Sequence, residues 1–306
     1  MLKKLLDFSN TPVHLRTRYS QLEVIEKSTN AMLAKIPIED VGTIILANKQ
    51  ISLTTSFMAK LGEFGVLLIV VGKNFAPILV ATPSYSHSKS VTRANLQTGI
   101  SEPKKKKLWQ FIIKEKIMNQ ALCLEMMNLP EASKLVAIAK TVKSDDPTNR
   151  EAYAAKEYWK ALNKVYGIRR NKNSEDDFNS LLNYAYTIFR GSIARSIYAY
   201  GLLPMLGVKH CHPANSLALA DDLIEPLRPI VDRSVLSFFA TNEHLHFDSM
   251  KHKLAELLFM TVIFDGNKSP LDIAIQKYVY SIIPYFKGNA KSLIFPVWDG
   301  KSVRNK

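Results

Sequence analysis

The chain has 306 residues, of which 47% are hydrophobic and 22% are charged, which is the composition of a folded globular protein of one large or two ordinary domains. Its two cysteines exclude a disulfide scaffold, and the apolar run at 65–72 is far shorter than the ~20 residues of a membrane span. The 41 basic residues exceed the 27 acidic ones, giving a net charge of +14 that favours a polyanionic partner, most often nucleic acid. The start, MLKKLLDFSN, has no apolar core of signal-peptide length, so we expect a cytoplasmic protein.

The first ninety residues have the pattern of β-structure. Alternating polar and apolar positions predict a strand over 13–25, and short apolar runs ending in turn residues predict further strands at 34–47, 51–54, 65–73 and 76–82. The segment at 54–65 predicts one embedded helix, with Thr and Ser at its start and Gly65 at its end. A small sandwich or barrel follows from this pattern.

Helical spacing dominates after about residue 90. It predicts helices at 101–129, 131–143, 148–165, 175–200, 217–240, 247–263 and 270–285, with a linker in SYSHSKSVTRANLQ and a frayed tail at 300–306. The predicted fold class is therefore α+β, with an N-terminal β-rich, sandwich-like domain (1–90) followed by a larger all-α domain (91–306).

The segment 209–229 concentrates groups that can bind a metal. His210, Cys211 and His212 are consecutive, and zinc takes imidazole and thiolate ligands. Consecutive residues rarely all reach one ion, however, and Cys123 is the only other thiol in the chain. Structural zinc therefore remains the weaker interpretation.

The acidic half of this segment is more informative. On a helix, Asp222 and Asp221 lie three and four residues before Glu225, so two carboxylates can share one face. Such a face needs a cation, either Arg228 or a bound ion, and carboxylates with one imidazole favour Mg²⁺ or Mn²⁺ over zinc. On spacing alone, an ordinary solvated face paired with Arg228 is the favoured explanation of these carboxylates.

Glu151 has an ordinary explanation as well. Thr148 and Glu151 have the spacing of a capping box, in which the glutamate reaches back to an exposed N–H at the helix start. Local pattern alone therefore assigns Glu151 a structural role.

Longer motifs favour a functional role for these residues over a purely structural one. The segments FNSLLNYAYTIFRGSIARSIYAYGLLPMLGVKH (178–210) and DDLIEPLRPIVDR (221–233) closely resemble the CRISPR adaptation integrase family, the larger of the two universal spacer-acquisition proteins. REAYAAKEYW (150–159) lies where that family has its first catalytic glutamate, and the segment 36–71 resembles the family's β-domain. The resemblance extends over roughly 10 to 290, and its D-L-x-E-P-x-R-P variant is most similar to relatives from systems with a single large effector nuclease.

The resemblance implies a site. By position, the catalytic and metal-binding residues are Glu151, His210 and Glu225, Asp222 is a supporting acid, and the ion is Mg²⁺ or Mn²⁺. Ala152, Leu227 and the residues after His210 depart from the usual family pattern, which leaves the pocket wall and the roles of Cys211 and His212 open.

The resemblance also implies a function. It is that of a DNA integrase and endonuclease, which inserts a short donor duplex into a repeat array by attack of a 3′-hydroxyl on a phosphodiester. The implied partners are double-stranded DNA, a second copy joined through the β-domain, the smaller adaptation protein in a heterohexamer, and the effector nuclease. Candidate DNA contacts are Arg93, Lys104, Lys105, Lys106, Lys107, Arg169, Arg170 and Lys172. The alternative is a non-catalytic, basic DNA-binding scaffold.

Overall fold

Strands fill the N-terminal part of the computed structural model, which describes residues 3–72, 77–81, 88–174, 176–210, 212–241 and 247–298. The strands of this part are β1 (Lys4–Phe8), β2 (Val13–Arg18), β3 (Gln21–Glu26), β4 (Met32–Pro37), β5 (Val41–Leu46), β6 (Ser52–Leu53), β7 (Leu67–Val71) and β8 (Pro77–Ala81). They form two four-stranded sheets, one in the order β1-β5-β7-β8 and the other in the order β4-β3-β2-β6. Helix α1 (Thr55–Phe64), the helix predicted at 54–65, lies between β6 and β7, with the Thr54 hydroxyl accepting the Phe57 N–H and Gly65 ending the helix at φ 67°.

One feature of the sheets follows directly from the sequence, and another differs from its prediction. The six residues of β5, VGTIIL, are all buried, as expected for a strand covered on both faces. The segment 13–25, predicted as one strand, is instead the β2–β3 hairpin. Tyr19 and Ser20 form its turn at φ 50° and 56°, which is the backbone of a two-residue hairpin loop. Neither residue is typical of such a turn, so the sequence pattern did not predict it.

Helices make up most of the remaining chain. They are α2 (Ser90–Thr98), α3 (Glu102–Met126), α4 (Ala132–Thr141), α5 (Arg150–Tyr166), α6 (Asp177–Ala199), α7 (Ala218–Ile224), α8 (Arg228–Thr241), α9 (Phe247–Glu256), α10 (Leu271–Tyr280) and α11 (Ile282–Lys287). The α+β fold class is confirmed. No helix in the described ranges is both long enough and apolar enough to cross a membrane.

Several predicted boundaries were wrong. Residues 90–97 of the predicted linker lie in α2, while its residues 84–87 and the predicted tail at 300–306 lie outside the described residues. A 3₁₀ turn (Glu225–Leu227) divides the helix predicted over 217–240, because Pro226 has no N–H for a continuous α-helical ladder. The helix predicted over 247–263 ends at Glu256, and the helical part contains a short hairpin of β9 (Thr261–Phe264) and β10 (Asn267–Pro270).

Helix α6 lies at the centre of the molecule. Seventeen of its 23 residues are buried, and the main hydrophobic core extends from it to Ile45, Leu67 and Ile69 in the first sheet. A Cβ atom on Gly191 would lie 2.8 Å from Ile69 Cδ1, so any larger residue here would displace the end of the Ile69 side chain where the helix crosses the sheet. The close packing of α6 fixes the elements that surround it, including those that hold the candidate site.

Candidate active site

Glu151 is in the first turn of α5, and its partner is not the one that the capping box predicts. The Asp146 carboxylate, rather than Thr148, accepts the N–H groups of Arg150 and Glu151, both at 2.8 Å. The Glu151 side chain is therefore free for another role, and its Oε1 accepts a hydrogen bond from Lys116 Nζ at 2.6 Å.

Glu225 begins the 3₁₀ turn between α7 and α8 and is 6% exposed. Arg228 Nε donates to Glu225 Oε1 at 2.8 Å, and Lys116 Nζ lies 2.5 Å from Oε2. Burial alone raises the pKa of Glu225, but the Arg228 and Lys116 cations outweigh burial and lower the pKa to about 2. This carboxylate is therefore ionised at neutral pH inside the protein.

Lys116 of α3 forms ion pairs with both glutamates, and it was not among the site residues predicted from the sequence. Burial lowers the pKa of Lys116, but the Glu225 and Glu151 carboxylates outweigh burial and raise it. The sequence did contain a signal. Lys116 occupies the helix face that Trp109, Ile113, Gln120 and Cys123 bury, and a lysine at core spacing needs an anionic partner.

His210 lies on the loop between α6 and α7, and Asp222 holds it in place. Asp222 is fully buried and accepts the N–H groups of Val208, Lys209 and His210, at 2.5, 3.0 and 3.2 Å. The His210 Nδ1 lies 2.6 Å from Asp222 Oδ1, and the ring packs edge-on against Trp109. These contacts fix the ring and leave Nε2 as the nitrogen available to a ligand.

The electrostatics connect His210 to both glutamates. The hydrogen bond to Asp222 is the largest influence that raises the pKa of His210, and the Glu225 and Glu151 carboxylates add to it. Close packing of the loop also depends on Gly207, where a Cβ atom would lie 2.3 Å from the His210 carbonyl oxygen. The fold thus brings Glu151, His210 and Glu225 into one electrostatic neighbourhood.

The three carboxylates of the predicted acidic face, Asp221, Asp222 and Glu225, have different partners. Asp221 pairs with Arg190, whose Nε donates to Oδ1 at 2.6 Å, and with the Asn215 amide. Arg228 does pair with Glu225, as the simpler interpretation predicted, but the face is not solvated, because Asp222 and Glu225 are both buried. Asp221 therefore supports the loop rather than the glutamate pair.

A buried polar network continues beneath Glu225. Arg228 lies over the Tyr186 ring with its Cζ 4.6 Å from the centroid, and Tyr186 donates its hydroxyl to Asp232. Tyr158 donates to the other Asp232 oxygen at 3.1 Å. Burial raises the pKa of Asp232 to about 6 despite these two hydrogen bonds.

The donor set fits a hard divalent ion. Two carboxylates and one imidazole form an oxygen-rich set of the kind that Mg²⁺ and Mn²⁺ prefer. Glu225 Oε2 is buried next to Glu151, and it accepts no well-directed hydrogen bond from the described residues. As the side chains stand, no three His, Cys, Asp or Glu groups in the described ranges surround one ion position. The Lys116 ammonium lies between the two glutamates.

Two of the other candidate zinc ligands, Cys123 and His212, do not join this site. Cys123 is buried in the core beside Tyr158, and burial raises the pKa of its thiol to about 12. His212 is exposed, and its Nδ1 accepts the Ala214 N–H at 3.2 Å. Cys211 lies outside the described residues.

The candidate DNA contacts lie in different environments. Arg93 is 9% exposed and donates to the Tyr200 carbonyl, which contradicts its prediction as a surface contact. Lys104 donates to the Phe286 carbonyl at 3.1 Å, whereas Lys105 lies 3.9 Å from Glu102 at the surface. In the same run of lysines, Lys106 is exposed and Lys107 packs near the Phe111 ring.

A basic groove runs along α5 and includes two of the predicted contacts. The α5 groove has a volume of about 780 Å³ and begins at Ala152, directly after Glu151. Its cationic residues and its aromatic residue are Lys156, Lys160, Lys164, Arg169, Arg170 and Trp159. None of the described residues that line it is acidic. Arg170 is held by the Asn179 and Asn183 side chains, both at 2.8 Å, and Lys172 is exposed nearby in sequence.

The fold and the site define a class of protein. It is an α+β protein whose helical part brings two glutamates and one histidine into one electrostatic neighbourhood. The family model of CRISPR associated protein Cas1 matches residues 9–258, and the chain belongs to that family. A CRISPR-associated endonuclease Cas1 from Neisseria meningitidis serogroup C (strain 8013) is 38% identical over 205 residues, covering 67% of this chain and 66% of that protein. The resemblance inferred from the motifs is confirmed.

Solved structures share the fold. A casposase bound to its integration product superposes with a TM-score of 0.80 at 19% identity, covering 95% of this chain and 92% of that one. A Cas6-RT-Cas1–Cas2 complex superposes with a TM-score of 0.79 at 17% identity, covering 98% of this chain and 36% of that chain. At these identities the two structures establish the fold alone.

Proposed function

We propose that this protein is a divalent-metal-dependent DNA endonuclease and integrase that inserts short donor DNA into a CRISPR repeat array. The observation that carries the proposal is the convergence of Glu151 and Glu225 on one position, with His210 in their electrostatic field. Family membership and the endonuclease name of the Neisseria relative support the same reaction class.

Glu151, His210 and Glu225 would hold Mg²⁺ or Mn²⁺. When bound, such an ion supplies Lewis-acid stabilisation of the charge that develops on a phosphodiester under attack by a 3′-hydroxyl. The chain's own contribution is orientation. Asp222 fixes the His210 ring, Arg228 fixes one oxygen of Glu225, and Asp146 fixes the start of α5.

The α5 groove is the proposed path for DNA. Its five cations form a track that begins at Lys156, five residues beyond Glu151, and a row of cations suits a phosphate backbone whose recognition is independent of sequence. The casposase that shares this fold is bound to an integration product, which supports DNA as the partner here.

Proposed protein partners follow from the family. One solved structure with this fold is a Cas6-RT-Cas1–Cas2 complex, which supports assembly with the smaller adaptation protein. We further propose a homodimer joined through the β-domain, a heterohexamer with the smaller protein, and contact with the effector nuclease.

Strand transfer by a Glu151→Gln variant tests the proposed activity. The substitution keeps the size of the side chain but removes the charge of a proposed ligand, so integration into a repeat-containing plasmid should fall by about 100-fold or more. DNA binding in the presence of a chelator should not change. Glu157→Gln is the matched control, since Glu157 is on the same helix and pairs with Lys134 instead.

Two results would contradict the proposal. Wild-type-like integration by Glu151→Gln would exclude this glutamate from catalysis. Absence of strand transfer and cleavage by the wild-type protein with either Mg²⁺ or Mn²⁺ would favour the alternative, a basic DNA-binding scaffold whose carboxylates only form ion pairs.

A further inference from the structure

Lys116 lies where two of the proposed ligands meet. Its Nζ is 2.6 Å from Glu151 Oε1 and 2.5 Å from Glu225 Oε2, and its side chain is 12% exposed. One ammonium therefore compensates two carboxylates, one from the first turn of α5 and the other from the 3₁₀ turn between α7 and α8. Without a cation at this position, these carboxylates would repel each other in a poorly hydrated site.

A divalent ion and Lys116 cannot share this position. An ion bound by both glutamates lies about 2.1 Å from each ligand oxygen, within the space that the ammonium now occupies. Its charge would also repel the ammonium at short range, where water screens poorly. Binding of the ion therefore requires that the Lys116 side chain leaves the two carboxylates.

Arg228, the second cation beside Glu225, differs from Lys116 in how it is held. It donates to the other oxygen, Oε1, and its guanidinium packs over the Tyr186 ring. A planar guanidinium held by a hydrogen bond and a ring contact keeps its place, whereas an ammonium on a four-carbon stem can change rotamer. The two cations thus contact different oxygens of the Glu225 carboxylate, since Arg228 orients Oε1 and Lys116 covers Oε2.

We propose that Lys116 competes with the divalent ion for Glu151 and Glu225, and that it sets the metal affinity of the site. The proposal rests on the proposed metal ligands. In the metal-free protein Lys116 holds the two carboxylates in their binding positions, and the ion then enters by exchanging for the ammonium group. Positioning and competition are two consequences of the same contact.

Binding of Mn²⁺, measured by electron paramagnetic resonance of the free ion, tests this proposal without using activity. Lys116→Met removes the competing charge and keeps the length of the side chain, so the Kd for Mn²⁺ should fall about tenfold or more. Lys114→Met is the matched control. This residue is two positions away on α3, and it makes no ion pair with the described residues, so its Kd should stay at the wild-type value.

Further variants separate the possible failures. Lys116→Gln serves as a second, uncharged variant if the methionine variant does not fold, as judged by circular dichroism, and Lys116→Arg should not bind Mn²⁺ more tightly than wild type. A folded, uncharged variant with unchanged or weaker Mn²⁺ binding would overturn the competition. If Glu151→Gln also leaves Mn²⁺ binding unchanged, the ligand set is wrong and the proposed function fails with it. If Glu151→Gln weakens binding while Lys116→Met does not strengthen it, only the role of Lys116 is refuted.

Discussion

Asp222 shows how much one residue determines at this site. Its fully buried carboxylate is matched to three backbone N–H groups and the His210 ring, so it is a compensated charge in the interior. The sequence motif predicted a supporting acid at this position. The number of hydrogen bonds could not be predicted, because it depends on the path of a loop twelve residues earlier.

Asp222→Asn should destabilise the protein. The amide group replaces one acceptor oxygen with an N–H donor that faces other donors, so unfolding free energy should fall by roughly 2–4 kcal/mol. Urea denaturation measures this change. Asp221→Asn is the control, because Asp221 is partly exposed, and its loss should be the smaller of the two. Equal losses would show that the loop does not depend on the buried carboxylate.

Asp232 should make stability depend on pH. Its folded pKa of about 6 lies above the ordinary aspartate value of 3.8, so between these values the folded state binds the proton more strongly. The contribution of Asp232 to stability therefore rises as pH falls through this window, by at most about 1.4 kcal/mol per pH unit.

Comparison with Asp232→Asn isolates this effect. The asparagine does not titrate, so the stability of wild type relative to the variant should increase from pH 7 to pH 4.5 in urea denaturation. A difference that is the same at both pH values would show that Asp232 does not carry the raised pKa.

Among the elements, α5 combines two functions. Its first turn presents Glu151, and its exposed face forms the basic groove. Apolar spacing predicted the helix at 148–165 closely, because Ala154, Tyr158, Ala161 and Leu162 recur on its buried face. The spacing could not predict that Asp146 caps this helix. The cap depends on the preceding loop, which folds back onto the start of α5 through three residues in the left-handed conformation, Asp145, Asp146 and Asn149.

Removing two groove cations should weaken DNA binding in a salt-dependent way. For the double variant Lys160→Ala and Lys164→Ala, the slope of log K against log salt should become shallower by about 1 to 2, roughly 0.9 for each lost phosphate contact. Fluorescence anisotropy over a range of salt concentrations measures this slope. Lys140→Ala, an exposed change on α4, should leave the slope unchanged. An unaltered slope in the double variant would place the DNA elsewhere.

The space around two helical glycines predicts opposite effects on stability when each is replaced by alanine. Gly191→Ala places a methyl group 2.8 Å from Ile69, so we expect a loss of about 1–3 kcal/mol in unfolding free energy. Gly62→Ala in α1 meets no atom within 4 Å and should stabilise the protein by up to about 1 kcal/mol. Thermal denaturation of both variants checks the pair. A stable Gly191→Ala protein would show that the Ile69 side chain can move away.

For the whole molecule, the sequence predicted the succession of strands and helices but not how they share a core. The division at residue 90 and dimerisation through the β-domain stay predictions. The main core includes Ile45 and Leu67 of the strands, the Tyr184 hydroxyl donates to Asp7, and Lys251 Nζ lies 3.1 Å from Asn10 Oδ1. Such contacts between distant residues have no local signature, so composition alone suggested two independent parts.

A shared core should make unfolding cooperative. Trp109, Trp159 and Trp298 all lie in the helical part, so their fluorescence reports on that part alone. A Phe64→Trp variant adds a reporter at the end of α1, and it should give the same urea midpoint as far-UV circular dichroism. Two separate midpoints would show that the β-rich part unfolds independently.

The loop between α6 and α7 has a consequence for hydrogen exchange. Loops usually exchange their amide protons quickly, because water reaches them through small fluctuations. The amides of Val208, Lys209 and His210 instead donate to a carboxylate that water does not reach. We expect these three amides to exchange at rates typical of helix interiors, while Ala214, bonded to the exposed His212, exchanges quickly. Amide exchange followed by NMR would then reveal a slowly opening loop at the candidate site, and rapid exchange at all four positions would contradict this picture.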